Sequence, residues 1–469
     1  MTIPPALEKF APIALLLVAV IIMVRRLPKV HLGHSEAFKK RRLLNWVPLG
    51  LAYSFLYFGR YNLSAIAGEL DKSGMLSKAA FNDIDGIGQW VYGFGFLLNG
   101  PLTDRFGGRA TMIAATIGSA VMNVGMAVLF SKSSGGSLEA DGLKSSLLAL
   151  NAVNMYFQSF GAVSIVKVNA HWFHVRERGV LGGLFGILIS LGLYFSYDWS
   201  LEISKAFGTV HAFSVPAVVL FGCVAMAVAF VRDAPSDAGF KDFDTGDADY
   251  SHSENDVAPT PRQVLRRLFS QKVIWVIVGI EFCSGFLRQA VMKQYRLYSK
   301  AVEGGDSFVY ENWGMLLCVA GILGGVFAGF ISDHVFHSRR GPVSSVLYAG
   351  LLVGALGAMG FLGGPLLGWS VVFMSLCVIG VHGMLSGTAS ADFGGRKNAG
   401  LVVGIIDGFV YLGGGAQAFL YARTLPTGPA AADPSSWRVW ITAMIPVAVL
   451  GLVLAATIWN AKPKSKSAH

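Results

Sequence analysis

Two arginines stand where an apolar environment tolerates charge least. Arg60 lies inside LGLAYSFLYFGRYNLSAIAG and Arg288 inside VIWVIVGIEFCSGFLRQAVM. Each is about 16 residues into its own hydrophobic segment, which at about 1.5 Å per residue is near mid-bilayer. A charge there costs at least about 2.5–3.5 kcal/mol, so such arginines face a partner, a water-filled cavity or an anion. A guanidinium is permanently charged and presents a planar fork of donors that matches an oxyanion. The alternative is an arginine held by helix carbonyls or by a structural acid. Glu281, seven residues before Arg288 and on the same helix face, is one such acid. Lys293 is either a second anion contact or a side chain snorkelling to the membrane interface. Arg296, a turn further on, is read as interfacial. Tyr57, Tyr61 and Gln158 are candidate cavity donors. Glu281 and Asp407 are read as the only carboxylates well inside spans: proton carriers, partners of the cations, or packed acids.

Composition fixes the class of protein that carries these residues. Of 469 residues, 53% are hydrophobic and 14% charged, against about 25% charged in soluble proteins. Twelve apolar stretches read as spanning helices, near 45–67, 84–104, 108–130, 146–170, 178–199, 211–231, 272–297, 310–332, 342–363, 367–389, 399–422 and 438–460. A further run, Phe10 to Val24, reads as an accessory N-terminal transmembrane helix (1–30), with a cleaved signal peptide as the alternative. The four cysteines fall within spans and form no CxxC, so neither a metal nor a disulfide is expected. There is no Walker-A sequence, and nothing calls for a cofactor or a catalytic group.

The net charge of +10 is a matter of topology, not of nucleic acid. With alternate loops assigned to opposite sides, 24 of the 38 lysines and arginines fall on one side and nine on the other. The richer side is the predicted cytoplasmic one. That places the N-terminus outside and the basic tail (462–469) inside. An inner-membrane or other cellular-membrane monomer is expected, with the lipid bilayer as its surroundings.

The chain repeats one plan. Arg60 is followed 44 residues later by Asp104 in GPLTDRFGGR, and Arg288 is followed 45 residues later by Asp333 in GFISDHVFHSRRG. RERGVLGGLFGILISLG (176–192) echoes GRKNAGLVVGIIDGFVYLGG (395–414). Such repeats imply two pseudo-symmetric bundles with a site between them near the midplane. The bundles are read as 44–231 and 271–461, joined by the polar linker 232–270. Asp104, Arg105, Arg109, Asp333, Arg339 and Arg340 are candidate gating residues at the predicted cytoplasmic end. Lys167 and His171 are read as gate or packing groups. GxxxG spacings at Gly182/Gly186, Gly321/Gly325/Gly329 and Gly404/Gly408 mark close helix contacts.

Twelve helices in two halves with GxxxDRxGGR between the second and third resemble the major facilitator fold. Within it the chain resembles the organophosphate:phosphate antiporters. The matching stretches are YFGRYNLS, QWVYGFGFLLNGPLTDR, VNAHWFHVRERG, FVRDAPSDAG, GFLRQAV, GFISDHVFHSRRG and KNAGLVVG…YLGG. The resemblance implies that Arg60 and Arg288 bind a phosphate group. It also implies exchange of a small organic phosphate for inorganic phosphate by rocking of the bundles. The chain departs from the family's glycerol-3-phosphate type. Phe96 stands where that type has a lysine, Ile189 where it has a histidine, Lys293 where it has an acid and Asp407 where it has a glycine. Two other readings stay open: a proton-coupled organic-anion symporter or effluxer using Glu281 or Asp407, and a membrane sensor of sugar phosphates.

Overall fold

A computed structural model describes residues 33–174, 188–245, 270, 272–331, 335–336 and 340–460, with side chains left out at 329–330, 340 and 386–403. The expected accessory helix, most of the linker, the basic tail, Asp333 and Arg339 lie outside the described residues, as does the side chain of Arg340. The regular elements among the described residues are all helical. That is the solution a membrane imposes on an open chain, because only a helix satisfies its own backbone in lipid.

The helices are α1 (Glu36–Lys72), α2 (Lys78–Phe106), α3 (Gly108–Ser134), α4 (Ala140–Trp172), α5 (188–207), α6 (His211–Phe230), α7 (Lys272–Val302), α8 (Trp313–Phe330), α9 (Arg340–Gly360), α10 (Leu367–Thr424) and α11 (Arg438–Thr457). Within α5 a π-helical stretch, Phe195–Trp199, leads into Ser200–Phe207. Among the described residues, six helical segments are long and apolar enough to cross a membrane. Helices α1, α2 and α4 are not among them, and these carry much of the buried polar chemistry described below.

Local sequence sets the helix ends. The Ser35 and Ser77 hydroxyls each accept from an N–H of the first turn of α1 and α2, at 3.2 Å. Gly107, at φ 87°, ends α2 and opens α3 in one residue, a backbone conformation that favours glycine. The Asp233 carboxylate, just past α6, accepts from the Arg109 N–H at 2.8 Å and so caps α3. The arginine–aspartate pair that leaves α6 therefore has a structural task.

The sequence predicts two spans at 367–389 and 399–422. The structure assigns Leu367–Thr424 as one 58-residue helical element, and no proline interrupts it. Its two arms are nonetheless antiparallel. Gly368 packs against Val309 and Tyr295, while Arg423, at the other terminus, approaches Asp83 at 3.5 Å near the start of α2. Both termini thus lie at the end of the molecule where α1 stops and α2 begins. His382 and Gly404, nearer the middle, meet Glu281 and Phe96.

The assembly is apolar outside and polar within. Leu98, Val218, Val353 and Val453 are exposed, whereas Asn99, Asn123, Asn154, Gln158 and Gln289 are buried. Close approach of α2 to the second arm of α10 depends on glycine. A Cβ on Gly93 would meet the Gly408 carbonyl oxygen at 2.8 Å, and one on Gly408 would meet that of Gly93 at 3.0 Å. Gly404 faces the Phe96 carbonyl in the same seam, and Gly321 packs on Ser190. Gly182 and Gly186 fall outside the described residues.

Candidate substrate site

Arg60 projects from the middle of α1 into the interior and is 4% exposed. Its Nε and Nη2 donate to Gln158 Oε1 on α4 at 3.1 and 3.0 Å. Nη2 also donates to the Tyr92 hydroxyl on α2 at 2.9 Å, and Nη1 to the Tyr411 hydroxyl on α10 at 3.1 Å. The guanidinium lies 4.5 Å from the Tyr57 ring, 4.4 Å from that of Tyr92 and 5.9 Å from that of Tyr61. A hydrogen bond between membrane helices contributes about 0.6 kcal/mol on average, so four of them come close to the lower figure for placing the charge at mid-bilayer. Gln158 is itself fixed, donating from Nε2 to the Leu56 carbonyl at 2.8 Å and to Ser119 Oγ at 2.7 Å. Arg60 is therefore held in one orientation before any ligand arrives.

Arg288 reaches the same tyrosine from the other half. Its guanidinium lies 5.7 Å from the Tyr411 ring. Its Nε is buried without a hydrogen-bond partner, and among the described residues no ion pair engages it. The acid proposed from sequence to hold it acts on it electrostatically without forming an ion pair. Glu281 Oε2 is 3.2 Å from His382 Nδ1, and its Oε1 has no partner. Asp407, on the second arm of α10, is buried and acts electrostatically on His382.

Lys293 lies neither at the interface nor open to an anion. It is 1% exposed, forms an ion pair with Asp85 of α2 and sits 5.3 Å from the Tyr61 ring. That corrects the sequence reading of the carboxylates, since Asp85 is a further buried acid. Arg296 also departs from expectation. Instead of lying at the interface it is 1% exposed, and it donates to the Ala65 carbonyl at 2.8 Å and the Tyr310 carbonyl at 3.3 Å. The reason is common to both: the outer part of α7 packs on α1 and α2 instead of on lipid. Tyr61 accepts from Gln289 Nε2 at 3.4 Å. Phe96 packs on Tyr92 with centroids 4.9 Å apart and on Tyr411 at 5.8 Å. It completes an aromatic wall with these two rings.

The described links between the two halves, α1–α6 and α7–α11, concentrate at the predicted outer end. Lys300 Nζ is 2.7 Å from Glu69 Oε1, Gln294 Nε2 donates to Asn82 Oδ1 at 2.8 Å, and Lys293 meets Asp85. Asp198 of α5 accepts from the Gly314 and Met315 N–H groups at 2.6 and 2.8 Å, capping α8 across the halves. At the predicted cytoplasmic end none of the described polar links crosses between the halves. Lys167 Nζ is 2.7 Å from Asp104 Oδ1. His171 Nδ1 lies 3.1 Å from the Lys167 carbonyl. Arg109 donates to the Val228 carbonyl at 2.8 Å. Arg105 stays exposed beside the Phe106 ring.

Tyr92, Tyr411, Asp85, His382 and Asp198 were not singled out from sequence. Asp85 and Asp198 carried a signal, as carboxylates inside the predicted spans 84–104 and 178–199, and so did His382 as an ionisable group inside 367–389; an aromatic in an apolar run carries none.

The profile of the Major Facilitator Superfamily matches residues 49–418. The chain belongs to that superfamily. Membership makes it an integral membrane protein of a transporter family, not an enzyme. Its relatives include the glycerol-3-phosphate transporter of Bacillus subtilis (strain 168), 24% identical over 451 residues that cover 91% of this chain and 94% of that one. The membrane sensor protein UhpC of Escherichia coli (strain K12) is 24% identical over 417 residues, covering 85% and 89%. These relatives match the organophosphate:phosphate antiporter resemblance read from the motifs. Among solved structures, a bacterial homologue of the human lysosomal transporter Spinster, inward-facing and unoccupied, superposes with a TM-score of 0.65 at 12% identity, covering 92% of this chain and all of that one. This superfamily member has the major facilitator fold, in which alternating access is typical.

Proposed function

We propose that this chain exchanges a small organic phosphate for inorganic phosphate across a bacterial inner membrane, with Arg60 and Arg288 taking the phosphate group. One observation carries the reading. Two arginines from different halves converge on Tyr411, one locked by four hydrogen bonds and the other with a buried, unpartnered Nε. A phosphate that accepts from Arg288 and leans on Arg60 pulls the halves together, as alternating access requires. The names of the relatives support the substrate class. Tyr57, Tyr61 and Gln158 shape and hold the arginine cage. The substrate's organic part lies against the aromatic wall that Phe96 completes, where the family's glycerol-3-phosphate type has a lysine. Residues 44–231 and 271–461 act as the two rocking bundles of a monomer, with the N-terminus outside and the C-terminus in the cytoplasm. The bonds joining the halves at the outer end correspond to an inward-open state.

Proteoliposomes loaded with phosphate test this. Labelled glycerol 3-phosphate and hexose 6-phosphates are offered outside, with and without internal phosphate. The expected result is uptake that requires internal phosphate, lost at least tenfold in Arg60→Lys and Arg288→Lys while membrane insertion is kept, because lysine keeps the charge but not the fork. Normal flux in either variant overturns the role of the pair. Uptake that needs a proton gradient instead of internal phosphate overturns the exchange. Binding without flux would place the chain beside its sensor relative.

A further inference from the structure

A second cluster lies in the half that carries Arg288. Glu281 is 0% exposed, two helical turns before Arg288 on the same face of α7. Its Oε2 meets His382 Nδ1 at 3.2 Å, and its Oε1 is buried with no partner. Among the described residues no other donor reaches that oxygen. On α9 the Tyr348 hydroxyl is committed to the Ile280 carbonyl at 2.6 Å. On α7 itself the charged neighbour is Arg288, and Glu281 and the Cys283 thiol both act on Tyr348. On α10 they are His382 and Asp407. His382 is about a quarter exposed along its side chain, whereas its partner Glu281 is fully buried.

We propose that Glu281 and His382 form a proton-binding site that competes with the transported anion for the charge of Arg288. The inference rests on the reading of Arg288 as an anion-binding residue. With the pair unprotonated, the Glu281 carboxylate attracts the Arg288 guanidinium, and an incoming anion must displace that attraction. A proton taken from water onto the pair removes one negative charge and leaves Arg288 to the anion. The proton returns to water when the anion leaves. Seven residues separate the groups along the helix by about 10 Å, and at the effective dielectric of a protein interior one unit charge at that distance changes the affinity for a monoanion about tenfold. Nothing in the cluster requires a metal: among the described residues no group of His, Cys, Asp and Glu has the spacing to hold one.

The test uses the full chain in nanodiscs with inorganic phosphate as the probe, comparing wild type with Glu281→Gln between pH 5.5 and 8.5. The ratio of the two affinities cancels the titration of phosphate itself. The expected ratio is near one at pH 5.5, with the wild type at least about tenfold weaker at pH 8.5, where phosphate is largely the dianion. A ratio constant across that range overturns the proposal. A ligand-free measurement separates this inference from the transport reading. Infrared difference spectra of wild type should show a protonated-carboxyl band that titrates in this range, shifts in His382→Asn and is missing from Glu281→Gln. No such band overturns the proton site whatever phosphate does. A titrating band without phosphate binding upholds the site and sinks the phosphate reading instead.

Discussion

Arg60 shows how a costly residue becomes a rigid one. Its donors are shared among Gln158, Tyr92 and Tyr411, which come from three different helices. Tyr411 bridges the arginines, accepting from one through its hydroxyl and facing the other with its ring. Tyr411→Phe should remove the first contact and keep the second. Phosphate affinity should then fall about tenfold, the worth of one hydrogen bond to a charge at the low end of its range, with expression unchanged. Equal affinities in an equilibrium binding assay would show that the hydroxyl does not orient Arg60. The arginines were legible in sequence because charge is rare in an apolar run. Tyr411 was not, since its meaning comes from a partner 351 residues away. Lys293 was legible as an anomaly but not as a pair, because its partner Asp85 lies on another helix.

The helices themselves were legible where hydropathy and glycine act together. The seam between α2 and the second arm of α10 follows glycines visible in the sequence, although only the structure reveals that Gly93 faces Gly408. What hydropathy could not show is how one helix ends on another. Asp198, within the π-helical stretch of α5, caps the first N–H groups of α8. A cap of this kind contributes about 0.5–2 kcal/mol, and here it joins the two halves. Asp198→Ala should therefore loosen the predicted outer end without unfolding either half. In a Gln294→Cys background, reaction with an impermeant thiol reagent from outside should speed up about two- to thirtyfold when Asp198 is removed. The four native cysteines are buried and set a low background. An unchanged rate, with the protein intact by size exclusion, would reduce Asp198 to a local cap.

At the scale of the whole molecule, the fold class was legible from composition and repeats, whereas the conformational state was not, because it depends on which charges meet across the halves. Asp85 and Lys293 are both almost fully buried and meet from α2 and α7, with Glu69 and Lys300 further toward the predicted outer end. A buried pair of this kind adds little stability by itself, but removing one partner strands the other at a cost of about 3–5 kcal/mol. If the pair forms only when the outer end is closed, that cost falls on one state alone and shifts the balance toward the outward-open form by more than a hundredfold. Lys293→Asp should accordingly trap the chain open to the outside: Gln294→Cys becomes reactive to external thiol reagents and phosphate exchange falls at least tenfold. The charge-swapped double variant Asp85→Lys with Lys293→Asp should recover a large part of both, since opposite charges again meet across the gap. The same cycle separates a gate from a binding residue. A lysine that served only the substrate would lose phosphate affinity in Lys293→Asp without gaining external reactivity, and the swap would rescue nothing. Labelling and exchange measured on all four members of the cycle decide it, and a coupling energy near zero would remove the Asp85–Lys293 pair from the transport cycle.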